Sequence, residues 1–330
     1  MPRAGAKPSI RDVAALAGVS YQTVSRVLNE PGRVRPATAE RVQEAMRTLR
    51  YRPSGAARSL ARNRTNTVGV IAVHGGLFGP SRMTLAINEG ARERGYSSVV
   101  VTVRDDTPDS LRAAREQLLT MGVDAVVLIA WSEPLLDLTQ RFARDLPTCV
   151  ITEGAVPDGV ARATGNHRLG GEIATGALLE RGRRRIGHLA GPPDWLEARA
   201  REDGWREVAG DAAGPVAGGE WSPASGYAGV DALLAVAPDL DAIFAANDGV
   251  AIGALRRLWE LGKAIPGDVA LIGYDDIEVD RYLGVPLASI RQPFAEVGAA
   301  AVDLVFDLMA GGQPGERALD PILVPRESLG

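Results

Sequence analysis

The feature that most restricts the fold is a series of seven short apolar runs between residues 67 and 274: TVGVIAV, SSVVVTV, DAVVLIA, TCVIT, RIGHLAG, DAIFAAN and DVALIGY. Each is short for a helix and carries apolar residues at consecutive positions, the mark of a strand covered on both faces. Segments long enough for a crossover helix follow, for example residues 81–94, 110–121 and 249–261. Strands of this kind joined by helices build parallel sheets, and right-handed crossovers wind the helices onto both faces. The pattern predicts two doubly wound α/β lobes. In such open sheets ligands collect beyond the carboxyl ends of the strands, so those loops are the place to look for a site.

Ahead of this region the periodicity changes. Residues 10–29, IRDVAALAGVSYQTVSRVLN, place Val13, Ala14, Ala17, Val24, Val27 and Leu28 at helical spacing. Ala17, Gly18 and Val19 interrupt it: Gly18 can take the left-handed conformation that ends a helix, and Ser20 can cap the next. That is a helix-turn-helix. Its second helix projects Tyr21, Gln22, Thr23, Ser25 and Arg26 away from the apolar face, a cluster dense in groups that hydrogen-bond base edges. A third helix is expected after Pro36, burying Val42, Ala45, Met46 and Leu49. Tyr51-Arg52-Pro53 ends it, and residues 54–61, SGAARSLA, form a small-residue segment of weak intrinsic helix stability.

The net charge of −4 conceals an asymmetry: residues 1–64 hold 13 basic and 4 acidic side chains, a net +9, and the remainder holds 24 and 37, a net −13. A basic head on an acidic body points to a polyanion partner. No stretch approaches the roughly 18 apolar residues of a membrane span, and residues 1–6 lack the parts of an export signal, so a cytoplasmic protein without a membrane partner is expected. Cys149 is the single cysteine; it excludes an intramolecular disulfide and reads as a buried, inert thiol. His74, His167 and His188 stand in no metal-ligand spacing and accompany no GxSxG turn, and they read as structural or solvated. Residues 275–278, DDIE, lack the glycine and alternation of a calcium loop, and no strand is followed by a Walker or GxGxxG loop. Neither enzymatic activity, nor a metal, nor a cofactor is expected. The basic run RGRRR at 181–185 reads as a solvated face complementing a helix C-terminus.

The loops after the later runs carry Arg201, Trp221, Asn247, Asp248, Asp275 and Asp276. A sugar site needs carboxylate and amide groups for vicinal hydroxyls, an arginine spanning two oxygens and an aromatic face for the ring; Asp275, Asn247, Arg201 and Trp221 are of those types. Taken singly, each also reads as an ordinary strand-end cap or surface residue.

SYQTVSRVLN followed by YRPSGAARSLA resembles the head and hinge of the lac-repressor (LacI/GalR) family, and AGPPDWLEARAREDGW, AANDGVAIGALRRLWELG, IGYDDIEV, SIRQPFAEVG and LVPRES match its effector domain in order. The resemblance implies a sequence-specific repressor of pseudo-palindromic operator DNA, controlled by a small effector. It implies that Ser20, Tyr21, Gln22, Thr23, Ser25, Arg26 and Asn29 contact DNA, Tyr21, Gln22 and Arg26 reading bases while Ser20 and Asn29 help hold phosphates. It also implies a hinge that becomes helical on operator and inserts Leu60 into the minor groove. For the effector it implies Arg201, Trp221, Asn247, Asp275 and Gln292 as contacts, with Leu77, Pro80, Met83, Trp131 and Phe294 as walls. GEWSPASGY with Arg201 and Asp275 is most like the lac repressor pattern, favouring a galactoside or another glycoside over a purine.

The expected fold is thus an all-α helix-turn-helix headpiece, residues 1–52, joined by a hinge, 53–65, to a periplasmic-binding-protein-like α/β effector and dimerisation domain, 66–330. Its N-lobe takes about 66–163 and 293–321, and its C-lobe about 164–292 and 322–330. No leucine heptads follow the last strand, so a homodimer without a tetramerisation helix is expected. Gly75, Gly76 and Gly79 are expected to loosen a loop that often carries bulky pocket residues in the family, and Glu153 stands where aspartate is common. Two readings from other classes remain: a transport-type solute-binding protein, opposed by the basic head, and a sugar-processing enzyme with a DNA anchor, for which no acid and base pair is present.

Overall fold

The computed structural model describes residues 8–29, 31–51, 64–73 and 76–330. The chain divides into two compact units, Met1–Asn66 and Thr67–Gly330.

The first unit contains α1 (Ile10–Ala17), α2 (Tyr21–Asn29), a 3-10 turn (Pro31–Arg33) and α3 (Pro36–Thr48). Ser9 and Asp12 form a reciprocal capping box at the start of α1, the Ser9 amide donating to the Asp12 carboxylate over 2.8 Å. Gly18 ends α1 at φ 64°, ψ 38°, a left-handed conformation. Ser20 Oγ then accepts from the Thr23 amide at 3.1 Å, capping α2. Val13, Val24 and Val42 are fully buried where the three helices meet, with Ala14, Ala17, Val27 and Ala45 around them. Burying each valine contributes roughly 1.5–3 kcal/mol at the upper limit, which is what holds so small a unit together.

The second unit contains two six-stranded sheets. The first has the order β11-β5-β4-β3-β1-β2, with β1 (Thr67–Val73), β2 (Ser97–Val103), β3 (Ala125–Ile129), β4 (Thr148–Ile151), β5 (Ala161–Thr164) and β11 (Glu316–Ala318). The second has the order β12-β10-β9-β8-β6-β7, with β6 (Ile186–Ala190), β7 (Ala213–Gly218), β8 (Ala242–Ala245), β9 (Ala270–Tyr274), β10 (Ala288–Arg291) and β12 (Ile322–Val324). All pairings are parallel except β10 with β12. The helices are α4 (Phe78–Glu93), α5 (Pro108–Thr120), α6 (Glu133–Ala143), α7 (His167–Glu180), α8 (Leu196–Ala209), α9 (Pro223–Val236), α10 (Asp248–Glu260) and α11 (Phe294–Met309).

Each central strand feeds two cores, as the continuous apolar runs require. In β1, Val68, Val70 and Ala72 pack with Ile87 and Ala91 of α4 and Val297, Ala301 and Val305 of α11, while Ile71 faces Leu118 of α5 and Leu135 and Phe142 of α6. In β8, Phe244 packs with Leu178 of α7 and Trp205 of α8, and Ile243 with Val230 and Leu233 of α9 and Leu258 of α10.

All seven apolar runs are strands. Those the runs do not announce, β5, β7, β10, β11 and β12, have the sequences ARAT, AGPVAG, ASIR, ERA and ILV and lie at or beside sheet edges; they are too short or too polar to carry a continuous apolar signature. The helices α4, α5 and α10 begin at Phe78, Pro108 and Asp248, slightly ahead of the expected 81, 110 and 249. Gly79 does not loosen a loop: it lies in the first turn of α4, where a Cβ would sit 2.7 Å from Phe294, so glycine here permits contact with α11. No helix among the described residues is long and apolar enough to cross a membrane.

The basic run at 181–185 is largely exposed, with Arg183 alone half-buried. Arg181 Nη1 donates to the Ala177 carbonyl at 3.0 Å, completing the end of α7, but Arg183 donates to the Pro266 carbonyl at 2.7 Å, and the amides of Arg184 and Arg185 are held by the Asp241 carboxylate at 2.8 and 2.9 Å. Cys149 is fully buried and burial pushes its thiol pKa up, consistent with an unreactive thiol.

Candidate functional site

On the headpiece, α2 turns Val24 and Val27 inward and leaves Ser20, Tyr21, Gln22 and Arg26 exposed, with Thr23 and Ser25 partly so. Tyr21 is 56% exposed. Thr23 has a structural role as well, its hydroxyl lying 2.9 Å from that of Ser20. Asn29 is the last residue of α2. Leu60 and His74 lie outside the described residues.

The second unit contains a cavity of about 260 Å³ lined from both sheets. Its polar floor comes from the carboxyl ends of strands and the loops beyond them: Thr152 and Glu153 after β4, Thr164 at the end of β5 and Gly165 after it, Asn247 after β8, Asp275 after β9 and Gln292 after β10. All ten residues expected to face an effector, Leu77, Pro80, Met83, Trp131, Arg201, Trp221, Asn247, Asp275, Gln292 and Phe294, line this one cavity.

Arg201 is the fixed point of the floor. It is 5% exposed on α8, and Gly171 of α7 and Gly204 of α8 let the helices approach so closely that a Cβ on either would fall within 2.3 Å of a backbone carbonyl oxygen of the other. Arg201 Nε donates to His167 Nδ1 at 3.1 Å, Nη1 donates to the Ala246 carbonyl, and the guanidinium stacks on Tyr274 with its carbon 3.9 Å from the ring centre. Nη2 is 3.9 Å from Asp275 Oδ1, a loose ion pair, and Trp221 covers the guanidinium at 5.3 Å.

Asp275 sits at φ 113°, a conformation that disfavours any side chain. The turn is held by its neighbours: the Asp275 amide donates to the Ile290 carbonyl at 2.8 Å, the Asp276 amide donates to Ser289 Oγ at 3.0 Å, and the Asp276 carboxylate accepts from Arg291 at 2.6 Å and from Arg326. Gln292 Nε2 donates to Asp275 Oδ1 at 2.6 Å. Burial pushes the Asp275 carboxyl up to about 6, against Arg201 and Gln292, which favour its charge. At 3.9 Å the arginine is too distant to outweigh desolvation.

Asn247 is more occupied than its type suggests, because Oδ1 accepts from the Val250 amide at 2.7 Å, capping α10, and Nδ2 donates to the Trp221 carbonyl at 3.3 Å. It faces the cavity while fixing the Trp221 loop. Asp248, by contrast, turns away into the lobe, where it accepts from Ser289 Oγ at 2.7 Å and the Ile277 amide at 3.0 Å. Burial, with Asp280 and Asp275 nearby, holds its pKa well above the carboxylate range.

Three site residues are not identifiable from the sequence. His167, read there as structural or solvated, lines the cavity, stacks on Tyr274 at 5.9 Å and holds Arg201. Burial, reinforced by Arg201, keeps it neutral, so that Nδ1 can accept. Trp195 stacks on Trp131 at 5.5 Å and meets Trp221 edge-on at 5.5 Å, making a continuous aromatic wall across both lobes. Glu197, in the first turn of α8, points a buried Oε2 at which no hydrogen bond is made. His188 is structural, buried between Trp205 and Phe244 with Nδ1 3.0 Å from the Phe244 carbonyl.

Comparison with known proteins agrees with both halves of this description. Residues 9–54 match the family described as bacterial regulatory proteins, lacI family, and residues 175–329 match the periplasmic binding protein-like domain. The ribose operon repressor of Escherichia coli (strain K12) is 33% identical over 330 residues, covering 97% of this chain and 99% of its own length. The HTH-type transcriptional regulator CelR of Thermobifida fusca is 34% identical over 337 residues, covering 98% of both. The HTH-type transcriptional repressor PurR of Actinobacillus pleuropneumoniae serotype 3 is 32% identical over 331 residues, covering 97% of this chain and 98% of its own. Among solved structures, the lac repressor dimer bound to operator and the anti-inducer ONPF superposes with a TM-score of 0.89 at 29% identity, covering 98% of this chain and 99% of that one. With a basic three-helix head, a two-sheet body around a polar cavity and full-length relatives above 30% identity, the chain belongs to the LacI family of DNA-binding transcriptional repressors.

Proposed function

We propose that this repressor binds a pseudo-palindromic operator as a homodimer and releases it when a saccharide, a galactoside or another glycoside, occupies the inter-lobe cavity. The observation that carries this reading is the convergence of Arg201, Asp275 and Gln292 beside the wall formed by Trp131, Trp195 and Trp221. A fixed guanidinium, a carboxylate and an amide span vicinal hydroxyls, and the aromatic wall takes the apolar face of a sugar ring. Structures in this family include a CelR–cellobiose complex, 32% identical with a TM-score of 0.72. A purine acting as co-repressor is the second reading, favoured by the stacked indoles and by the similarity to PurR.

In this proposal residues 1–52 form the headpiece, 53–65 the hinge carrying the Leu60 wedge, and 66–330 the effector and dimerisation domain, with the lobes divided near 163, 292 and 321. Ser20, Tyr21, Gln22, Thr23, Ser25, Arg26 and Asn29 contact DNA, Arg26 being suited to guanine O6 and N7. Bound to operator, the protein is associated with the nucleoid. An effector preferring the DNA-incompetent arrangement by about 1–2 kcal/mol lowers operator affinity roughly 5- to 30-fold. Operator titrations at fixed salt, with and without galactosides, glucosides and purines, test the reading: weakening by a glycoside supports it, and binding that requires a purine reverses it.

A further inference from the structure

The charges around the cavity do not balance. Glu153, Glu197 and Asp275 line it, against one arginine, Arg201, and a neutral His167. Arg201 is already committed to His167, the Ala246 carbonyl and, loosely, Asp275. Glu153 accepts from the Thr164 hydroxyl, and Asp275 accepts from Gln292. Glu197 differs: its Oε2 is buried with no hydrogen-bond partner, and it lines the same cavity two residues after Trp195, the tryptophan that bridges Trp131 and Trp221. A buried acceptor without a partner is costly, more so if charged, and the natural remedy is a donor brought by the ligand.

We propose, building on the saccharide reading above, that the effector is a glycoside bearing a protonated amine, which pairs with Glu197 against the Trp131–Trp195–Trp221 wall. Indole faces are the best side-chain partners for a cation, and a carboxylate beside them adds charge and a hydrogen-bond acceptor. The electrostatics of the cavity suit this arrival. Burial pushes the Glu197 carboxyl up to about 7, its own backbone amide and Arg201 lowering it and Glu153 raising it, so near neutral pH the free protein holds the acid partly protonated. An ammonium ion draws it into the charged form.

The test compares matched probes on the full-length protein by tryptophan fluorescence and calorimetry: 2-aminoethyl and ethyl galactosides and glucosides, with galactosamine and glucosamine beside galactose and glucose. The aminoethyl glycoside is expected to bind at least 10-fold tighter than its ethyl counterpart. Because an alkylammonium stays protonated from pH 6 to 8, the ratio should grow across that range as Glu197 ionises. Glu197→Gln should abolish both the ratio and its pH dependence. Equal or tighter binding of the neutral glycosides by the wild-type protein overturns the amine assignment and leaves the saccharide reading standing. A preference that persists in Glu197→Gln overturns the role of Glu197. Failure of every probe, neutral and amino, overturns both.

Discussion

At the scale of single residues, the site is a set of buried polar groups whose positions are fixed by one another. Arg201→Ala leaves His167 Nδ1 without its donor and Asp275 without its countercharge, and should lower saccharide affinity at least 100-fold while destabilising the fold by about 1–3 kcal/mol, measured by calorimetry and denaturant unfolding. The raised carboxyls of Asp275, about 6, and Glu197, about 7, have a pH signature. A carboxyl that binds its proton more tightly folded than unfolded contributes stability at low pH, and that contribution is lost as pH rises through the folded value. Ligand-free protein should therefore lose stability from these groups between about pH 4 and 7, by up to about 6 kcal/mol at about 1.4 kcal/mol per pKa unit. Asp275→Asn with Glu197→Gln should lessen that slope, the part due to the raised carboxyls of Asp248 and Asp280 remaining; an unchanged slope would show that neither substituted group is perturbed. Asp275 and Asn247 were readable in the sequence because each follows an apolar strand. His167 and Glu197 were not, because Arg201 and the tryptophan wall that give them meaning lie up to several dozen residues away in the chain.

At the scale of elements, central strands and the helix-turn-helix were legible because burial leaves a periodic imprint, whereas β5, β7, β10, β11 and β12 lie at or beside sheet edges and are too short or too polar to carry it. The α7–α8 contact was illegible for a different reason: Gly171 and Gly204 carry no side chain, yet they decide how near Arg201 comes to His167. Gly171→Ala, whose Cβ would meet the Arg201 carbonyl oxygen at 2.3 Å, should cost roughly 1–3 kcal/mol by forcing the helices apart. It should also weaken saccharide binding although Gly171 does not line the cavity. In the headpiece, Ser20→Ala removes the cap of α2 and should lower headpiece stability by about 1 kcal/mol, visible as a lower melting temperature of that transition.

At the scale of the whole molecule, the net charge of +9 on residues 1–64 and −13 on the remainder confines the polyanion affinity to one end. The family and its two sheets were legible from the order of motifs along the chain, and ligand chemistry was legible only to the level of residue types. We propose that occupation of the cavity beside Asp275 sets operator affinity, and a fluorescence-anisotropy titration of operator DNA at fixed salt, with and without a binding glycoside, for the wild type and Asp275→Ala, tests this directly. The glycoside should weaken wild-type binding roughly 5- to 30-fold, and Asp275→Ala should bind operator normally without responding. An Asp275→Ala protein that responds as fully as the wild type, or a wild type that binds the glycoside with no change in operator affinity, would contradict it.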